Sequence, residues 1–406
     1  MKRTTAAPRA CASSFLGNTM APFQKKIIMG FMIAIGFFPA LLLRFLNVRF
    51  LPVLVARIGH LVLEPDCYLK EEKLGLHKRF ITVLCAPRCK VANQALAEYW
   101  SRHLIVVSSS WLCLTLMPLS LQRILQYDIE KYVVAIEKTA GFLNIQKLWG
   151  DRLPLLSLSQ EHIARGERRL RDWGVPPGAW FVCVHSREGG YAQKDEHLHS
   201  FRSSHIESYF LAMQMITDRG GWCIRMGDPT MQKILPAKNV IDYAHNPHRE
   251  DWMDLFLSAR CRFFLGSASG AWLMASVFGV PVACANQIPL SSTLPFGKKD
   301  LGIPKLLWSR KDQRIVTFSE IFSFGNMRHI NEYQRAEVDI VDNTSEDIRD
   351  LAEEQLERTE SRAIYTNADE DLQSRFKSLM KLGHNTYGSE SRIGRNFIRK
   401  YEYLLG

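Results

Sequence analysis

The feature that most limits the fold is a series of short apolar runs that stop in polar or glycine-rich residues. Trp180–Val184 runs straight into His185-Ser-Arg187-Glu188-Gly-Gly190. Gly221–Met226 ends in Arg225-Met-Gly227-Asp228, Val240–Tyr243 ends in Asp242-Tyr243, and Cys261–Leu265 ends in Gly266-Ser267-Ala-Ser269-Gly270. Helical spacing separates the runs at 206–218, 251–259 and 270–278, and a further run follows at Val282–Ala285. Strands apolar on both faces, alternating with helices, predict a parallel sheet covered on both sides. In such sheets ligands bind beyond the carboxyl ends of the strands. The cluster that ends the first run therefore sits where a ligand is expected.

A weaker alternation precedes it. Phe50–Val55, Phe80–Cys85 and Leu104–Val107 read as strands, with helical spacing over 91–102. Ser159 is placed to cap a helix over 160–173, and Gly174-Val-Pro-Pro-Gly178 breaks that helix. Residues 108–158 read as helical, with an apolar patch at Trp111–Leu121. Helices are also expected at 345–358, 369–380 and 393–405. A chain of 406 residues exceeds one ordinary core. The expected organisation is a disordered basic tail (1–26), an apolar membrane-associated segment (27–49), an N-terminal Rossmann-like domain (50–165), a C-terminal Rossmann-like domain (166–343) and a helical extension (344–406). The two domains are expected to face a cleft.

The formal net charge is +11, but no Asp or Glu occurs before Glu64. The excess lies largely in the first part of the chain, which argues against a nucleic-acid-binding face on the body. Within that part, Ile27–Leu43 is uncharged, flanked by Lys25-Lys26 and Arg44, and interrupted by Pro39. It is slightly short for a spanning helix. A signal peptide, a transit peptide and a buried helix are alternatives. An anchor, re-entrant or in the membrane interface, fits best, at the cytoplasmic face. Nine irregularly spaced cysteines, several inside apolar runs, suit a reducing compartment.

The strand ends carry the chemistry. Arg187 and Arg225 are candidates for a bidentate clamp on a diphosphate. Ser267, Ser269 and Gly270 would open a helix whose amides face an anion. His185, Glu188, Gly227, Asp228, Asp242 and Tyr243 complete the candidate nucleotide site. The plainer alternative is a surface Arg187–Glu188 pair beside an ordinary helix cap. In the first half, Arg57-Ile-Gly-His60 places His60 as a candidate general base; a helix-starting or core histidine is the alternative. The one Asp-x-Asp match, Asp369-Glu-Asp371, reads as a solvated helix face, so no metal site is expected and the arginines take the metal's role.

These stretches also resemble a known family. "VHSREGGY" (184–191), "FRSSHIESY" (201–209), "GGWCIRMGD" (220–228), "VIDYA" (240–244), "MDLFLSARCRFFLGSASG" (253–270), "DLGIPKLLW" (300–308) and "RIGHLVLEPDCYL" (57–69) resemble bacterial glycosyltransferases of surface-polysaccharide synthesis. The Val-His-x-Arg strand end is similar to a fucosyltransferase-type donor site. The resemblance covers roughly residues 50–405. It implies a GT-B-like architecture of two Rossmann-like domains, and sugar transfer from a nucleotide-sugar to a lipid-linked or polysaccharide acceptor without metal or other cofactor. Many relatives carry Asp where this chain has Glu188. A non-catalytic membrane-tethered carbohydrate-binding or assembly subunit, and a nucleotide-sugar epimerase, are the competing functions.

Overall fold

The computed structural model describes residues 22–133, 141–190, 196–292 and 295–406. The chain forms two α/β units that divide between Val133 and Val134. That is well before the boundary expected at 165, because the Gln160–Asp172 helix packs on the Asp251–Arg260 helix of the second unit. The tail expected over 1–26 lies mostly outside the described residues. From Pro22 the chain is already helical, in one helix running to Phe45.

In the first unit, β1 (Val48–Phe50), β2 (Ile81–Cys85) and β3 (Ile105–Val107) form a parallel sheet in that order. The Ile58–Lys73 and Gln94–Trp100 helices make the crossovers. The first of these contains Pro65, which has no amide to offer the carbonyl of Leu61. The indole Nε1 of buried Trp100 donates to that oxygen instead, at 2.9 Å. The same helix buries Glu71, whose carboxylate accepts from Tyr127 Oη and Lys131 Nζ at 2.8 Å and from Tyr132 Oη. Burial works against this charge, but Lys131 and the two hydroxyls outweigh it and hold the Glu71 carboxyl below its usual pKa.

In the second unit, β4 (Phe181–Val184), β5 (Trp222–Arg225), β6 (Val240–Asp242), β7 (Phe264–Gly266), β8 (Val282–Gln287), β9 (Leu301–Pro304) and β13 (Arg392–Ile393) form a seven-stranded sheet. Its order is β6-β5-β4-β7-β8-β9-β13, and every neighbouring pair is parallel. Counted from β4, the first six strands follow the 3-2-1-4-5-6 doubly wound order, and the direction of winding reverses between β4 and β7. A smaller antiparallel sheet joins β10 (Leu306–Ser309), β11 (Arg314–Ile315) and β12 (Val338–Val341). The C-terminal helices are part of this unit's core rather than an extension from it. Ile348, Leu351, Ala352 and Leu356 on the Ser345–Thr359 helix are buried with Phe376, Phe397 and the strand residues Val182, Ala283 and Leu301. Asp369 is not on a solvated face: it caps the Asn367–Ser378 helix through Thr366 and pairs with Arg399 at 2.6 Å. Arg399 is the main reason its carboxyl is held down at about 2.

Candidate functional site

The reversal point brings the ends of β4 and β7 together. The His185 amide donates to Leu265 O at 2.9 Å, and the Arg187 amide donates to Ser267 Oγ at 2.8 Å. Ser267 is fully buried, so its hydroxyl holds the two strand ends together instead of facing a ligand. Ser269 Oγ lies 3.3 Å from His185 Nδ1 and accepts from the Ala271 amide. The helix expected from Gly270 begins only at Leu273 and ends at Val277. Ser267–Gly270 is therefore a turn joining strand to helix, and the expected anion seat at a helix start is not formed. Burial, with the charge of Arg225 behind it, lowers the His185 pKa to about 4, so its ring is neutral at pH 7.

Arg225 does not reach into open space. Its side chain is 1% exposed, with Nη2 on Glu188 Oε1 at 3.0 Å and Nη1 on Asp242 Oδ1 at 3.1 Å. The parallel register places Arg225 opposite Asp242 on β6 and Val184 on β4, which directs its fork at residues on both sides. The second oxygens of the two carboxylates accept the amides of Gln232 at 2.7 Å and Ile234 at 3.2 Å. This triad anchors the loop after β5. Its cation is consumed by two carboxylates, so Arg225 is not the diphosphate clamp expected from the sequence. Asp228 closes the same loop locally, accepting the Thr230 amide at 2.9 Å. Gly227 has φ +155°, and a Cβ there would lie 2.3 Å from Met231 Sδ. Tyr243 is buried, with its hydroxyl donating to Asp254 Oδ1 at 2.8 Å; it braces the next helix and is absent from the site rim.

Arg187 is less buried than Arg225, its side chain 16% exposed. Its Nη1 donates to His199 O at 2.9 Å and Ser203 Oγ at 3.1 Å, and Glu196 lies 3.9 Å away. A cavity of about 630 Å³ opens beyond three strand ends, lined by Glu188 and Gly189 after β4, Thr230 and Gln232 after β5, and Lys305 after β9. Ser203 and Asp342 also line it. Lys305 Nζ donates to Ser203 O at 2.6 Å and pairs with Asp342 Oδ1 at 2.6 Å. Burial pulls the Lys305 pKa below its usual value, against the opposing pull of Asp342. Arg187 and Lys305 thus hold opposite ends of one residue, Ser203. Lys305, Ser203 and Asp342 were not singled out from the sequence. The signal for Lys305 was present: it follows an apolar strand just as Arg187 and Arg225 do.

In the first unit, His60 lies in the first turn of the Ile58–Lys73 helix rather than in a loop. Its Nδ1 is 2.5 Å from Glu64 Oε1. Glu64 is 2% exposed, and its Oε2 has no hydrogen-bond partner among the described residues. Burial raises the Glu64 pKa, while the hydrogen bond from His60 opposes the rise. The pair has the geometry of an imidazole held by a carboxylate through one nitrogen, with the ring a quarter exposed.

No protein-family model matches the chain, and no curated protein matches it. Among solved structures it is similar to a glycosyl transferase family 9 protein from Veillonella parvula (13% identity, TM-score 0.36, covering 74% of this chain and 78% of that one). It is also similar to the iron-containing dodecameric glycosyltransferase TibC of enterotoxigenic E. coli (11% identity, TM-score 0.37, 62% and 61%). A third likeness is to the ADP-heptose LPS heptosyltransferase II of E. coli (14% identity, TM-score 0.29, 58% and 84%).

Proposed function

We propose that the second unit binds a nucleotide-sugar and that the protein transfers its sugar to a lipid-linked or polysaccharide acceptor. The observation that carries this reading is the cavity beyond the ends of β4, β5 and β9, with Arg187 and Lys305 converging on Ser203. A partly exposed arginine at the carboxyl edge of a doubly wound sheet suits a leaving diphosphate. Fixed charges aimed at a departing group are a major source of rate in such chemistry. Arg187, whose nearest carboxylate Glu196 stands 3.9 Å away, takes the stabilising role; Lys305, 2% exposed and paired with Asp342, holds Ser203 in place; Glu188 and Gly189 line the entrance, and neutral His185 offers a hydrogen bond. Arg225 acts through Glu188, as a positioning residue. His60, held by Glu64, is the base for the acceptor hydroxyl. The scheme invokes no metal; among the described residues Glu188 and Asp242 are paired with Arg225, Asp228 with Thr230, and Asp342 with Lys305. The Pro22–Phe45 helix supplies membrane association at the cytoplasmic face; its Lys26–Phe45 stretch is long and apolar enough to cross a membrane and only 11% buried.

The test is thermal unfolding against a panel of nucleoside diphosphates. A ligand at a hundred times its dissociation constant stabilises by about 2.7 kcal/mol. Arg187→Ala should lose most of that shift, and Lys305→Met, which acts through Ser203, should lose less. Turnover, read as nucleoside diphosphate released only with acceptor, should persist in EDTA. Interconversion of the sugar without acceptor would favour the epimerase, and nucleotide binding with neither release nor interconversion would favour the non-catalytic subunit. Absence of any nucleotide shift would end the donor-site reading.

A further inference from the structure

The Pro22–Phe45 helix carries two apolar stripes, and only one of them is covered. Met29, Met32, Gly36, Ala40 and Leu43 recur at helical spacing and face the first unit. Met29 and Met32 pack on Met117 and Leu121, while Ala40 and Leu43 join Val48, Phe50, Val83 and Leu125 of the sheet core. At Gly36 the approach is so close that a Cβ would lie 2.2 Å from Pro118 O. Polar contacts fix the same face: Gln122 Nε2 donates to Ile33 O and Arg44 Nη1 to Ile124 O, both at 2.7 Å. Phe23, Ile27, Phe31, Ile35, Phe38, Leu42 and Phe45 form the second stripe and are all exposed. At about 100° per residue the two stripes lie on opposite sides of the helix.

The docked stripe settles what a bilayer can do with this helix. From Met29 to Leu43 it extends about 21 Å at ~1.5 Å per residue. A hydrocarbon core is about 30 Å thick. If the helix spanned it, β1, β2 and the Met117–Ile124 segment would be drawn in with it. That would place Gln122 and exposed Arg123 in hydrocarbon, which cannot satisfy them. A helix lying along the interface has no such conflict: the outer stripe enters the lipid and the docked stripe stays on the protein. The charge agrees, since Lys26 and Arg44 lie near the two ends of the stripe and no carboxylate precedes Glu64. A second apolar protrusion, Trp111 (75% exposed) and Leu112 (56%), stands on the Ser110–Thr115 helix, which leads directly into the docking helix Met117–Ser120.

We propose that the first unit is a monotopic membrane module: the Pro22–Phe45 helix lies in the plane of an anionic bilayer surface, and Trp111 and Leu112 insert beside it. This rests on the membrane association proposed above and deepens it. The test uses the full chain, tagged at both termini, added to preformed sealed vesicles of phosphatidylglycerol and phosphatidylcholine. Flotation reports binding, and external protease reports where each tag lies. The expected result is binding with both tags digested. Phe38→Glu and Trp111→Glu should each weaken binding roughly tenfold, with unchanged circular dichroism. A protected N-terminal tag with an accessible C-terminal one would mean that the helix spans, overturning the inference while leaving membrane association intact. Wild-type binding by Trp111→Glu would remove the second protrusion from the surface. No flotation, with a dimer in sedimentation that Phe38→Glu dissociates, would show that a second copy covers the stripe, and both readings would fall.

Discussion

Replacing Arg225 by methionine separates its charge from its packing. The side chain is 1% exposed and lies between two carboxylates, each 14% exposed, at 3.0 and 3.1 Å. Methionine keeps most of the stem volume, so the loss isolates the guanidinium. Removing one partner of a buried ion pair typically costs 3–5 kcal/mol, because the remaining charge is left uncompensated. Here two carboxylates are left, but each keeps one backbone amide, from Gln232 and Ile234. A loss of about 4 kcal/mol at pH 7 is expected. For a unit of this size that lowers the midpoint of thermal unfolding by on the order of 10 °C. Urea unfolding followed by tryptophan fluorescence gives the same quantity independently. Adding Glu188→Gln and Asp242→Asn removes the stranded charges while keeping carbonyl acceptors for the two amides. The triple variant should therefore recover most of the loss. Arg225→Met within about 1 kcal/mol of wild type would refute the triad as a structural element. It would return Arg225 to the role of a free cation in the site.

Stability should fall as pH drops from about 6.5 to about 4. An unfolded His185 takes up a proton near 6.5 while the folded one resists to about 4, so the unfolded state binds more protons across that window. The loss is roughly 3 kcal/mol, and His185→Gln should flatten it; an unchanged slope would show that His185 is not buried neutral. Gly36→Ala should speed proteolysis around Leu46, because its Cβ meets Pro118 O, whereas Gly30→Ala, which meets nothing within 4 Å, should leave the docking intact. Equal behaviour of the two would contradict the close crossing. In a transfer assay, His60→Ala should lower turnover roughly a hundredfold or more without weakening nucleotide binding. Glu64→Gln should lower it less, and a silent His60→Ala would remove the base.

What the sequence determined is local. The apolar runs at Phe181–Val184, Trp222–Arg225 and Val282–Gln287 form strands because buried parallel strands need no polar face. Ser159 caps its helix as its position predicts, with Oγ accepting the His162 amide at 3.2 Å. The parallel alternation also places His185, Arg187 and Glu188 at a strand end, where the doubly wound order collects polar groups. The direction in which each of those groups faces was not legible, since both faces of such a sheet are covered. Arg225 turns inward because β4 and β6 bring carboxylates to either side of it. Tyr243 turns inward because Asp254 meets its hydroxyl. The region from 286 to 343 stayed unread because its order depends on distant partners. Asn286 and Asn343, 57 positions apart, exchange amide and side-chain hydrogen bonds at 2.6 and 2.8 Å. Lys305 finds the carbonyl of Ser203 from 102 positions away. Ile27–Leu43 is apolar on every side, and such a pattern contains no information about which side is covered. The close approach at Gly36, with the Gln122 and Arg44 contacts, decides that one stripe belongs to the protein and leaves the other exposed.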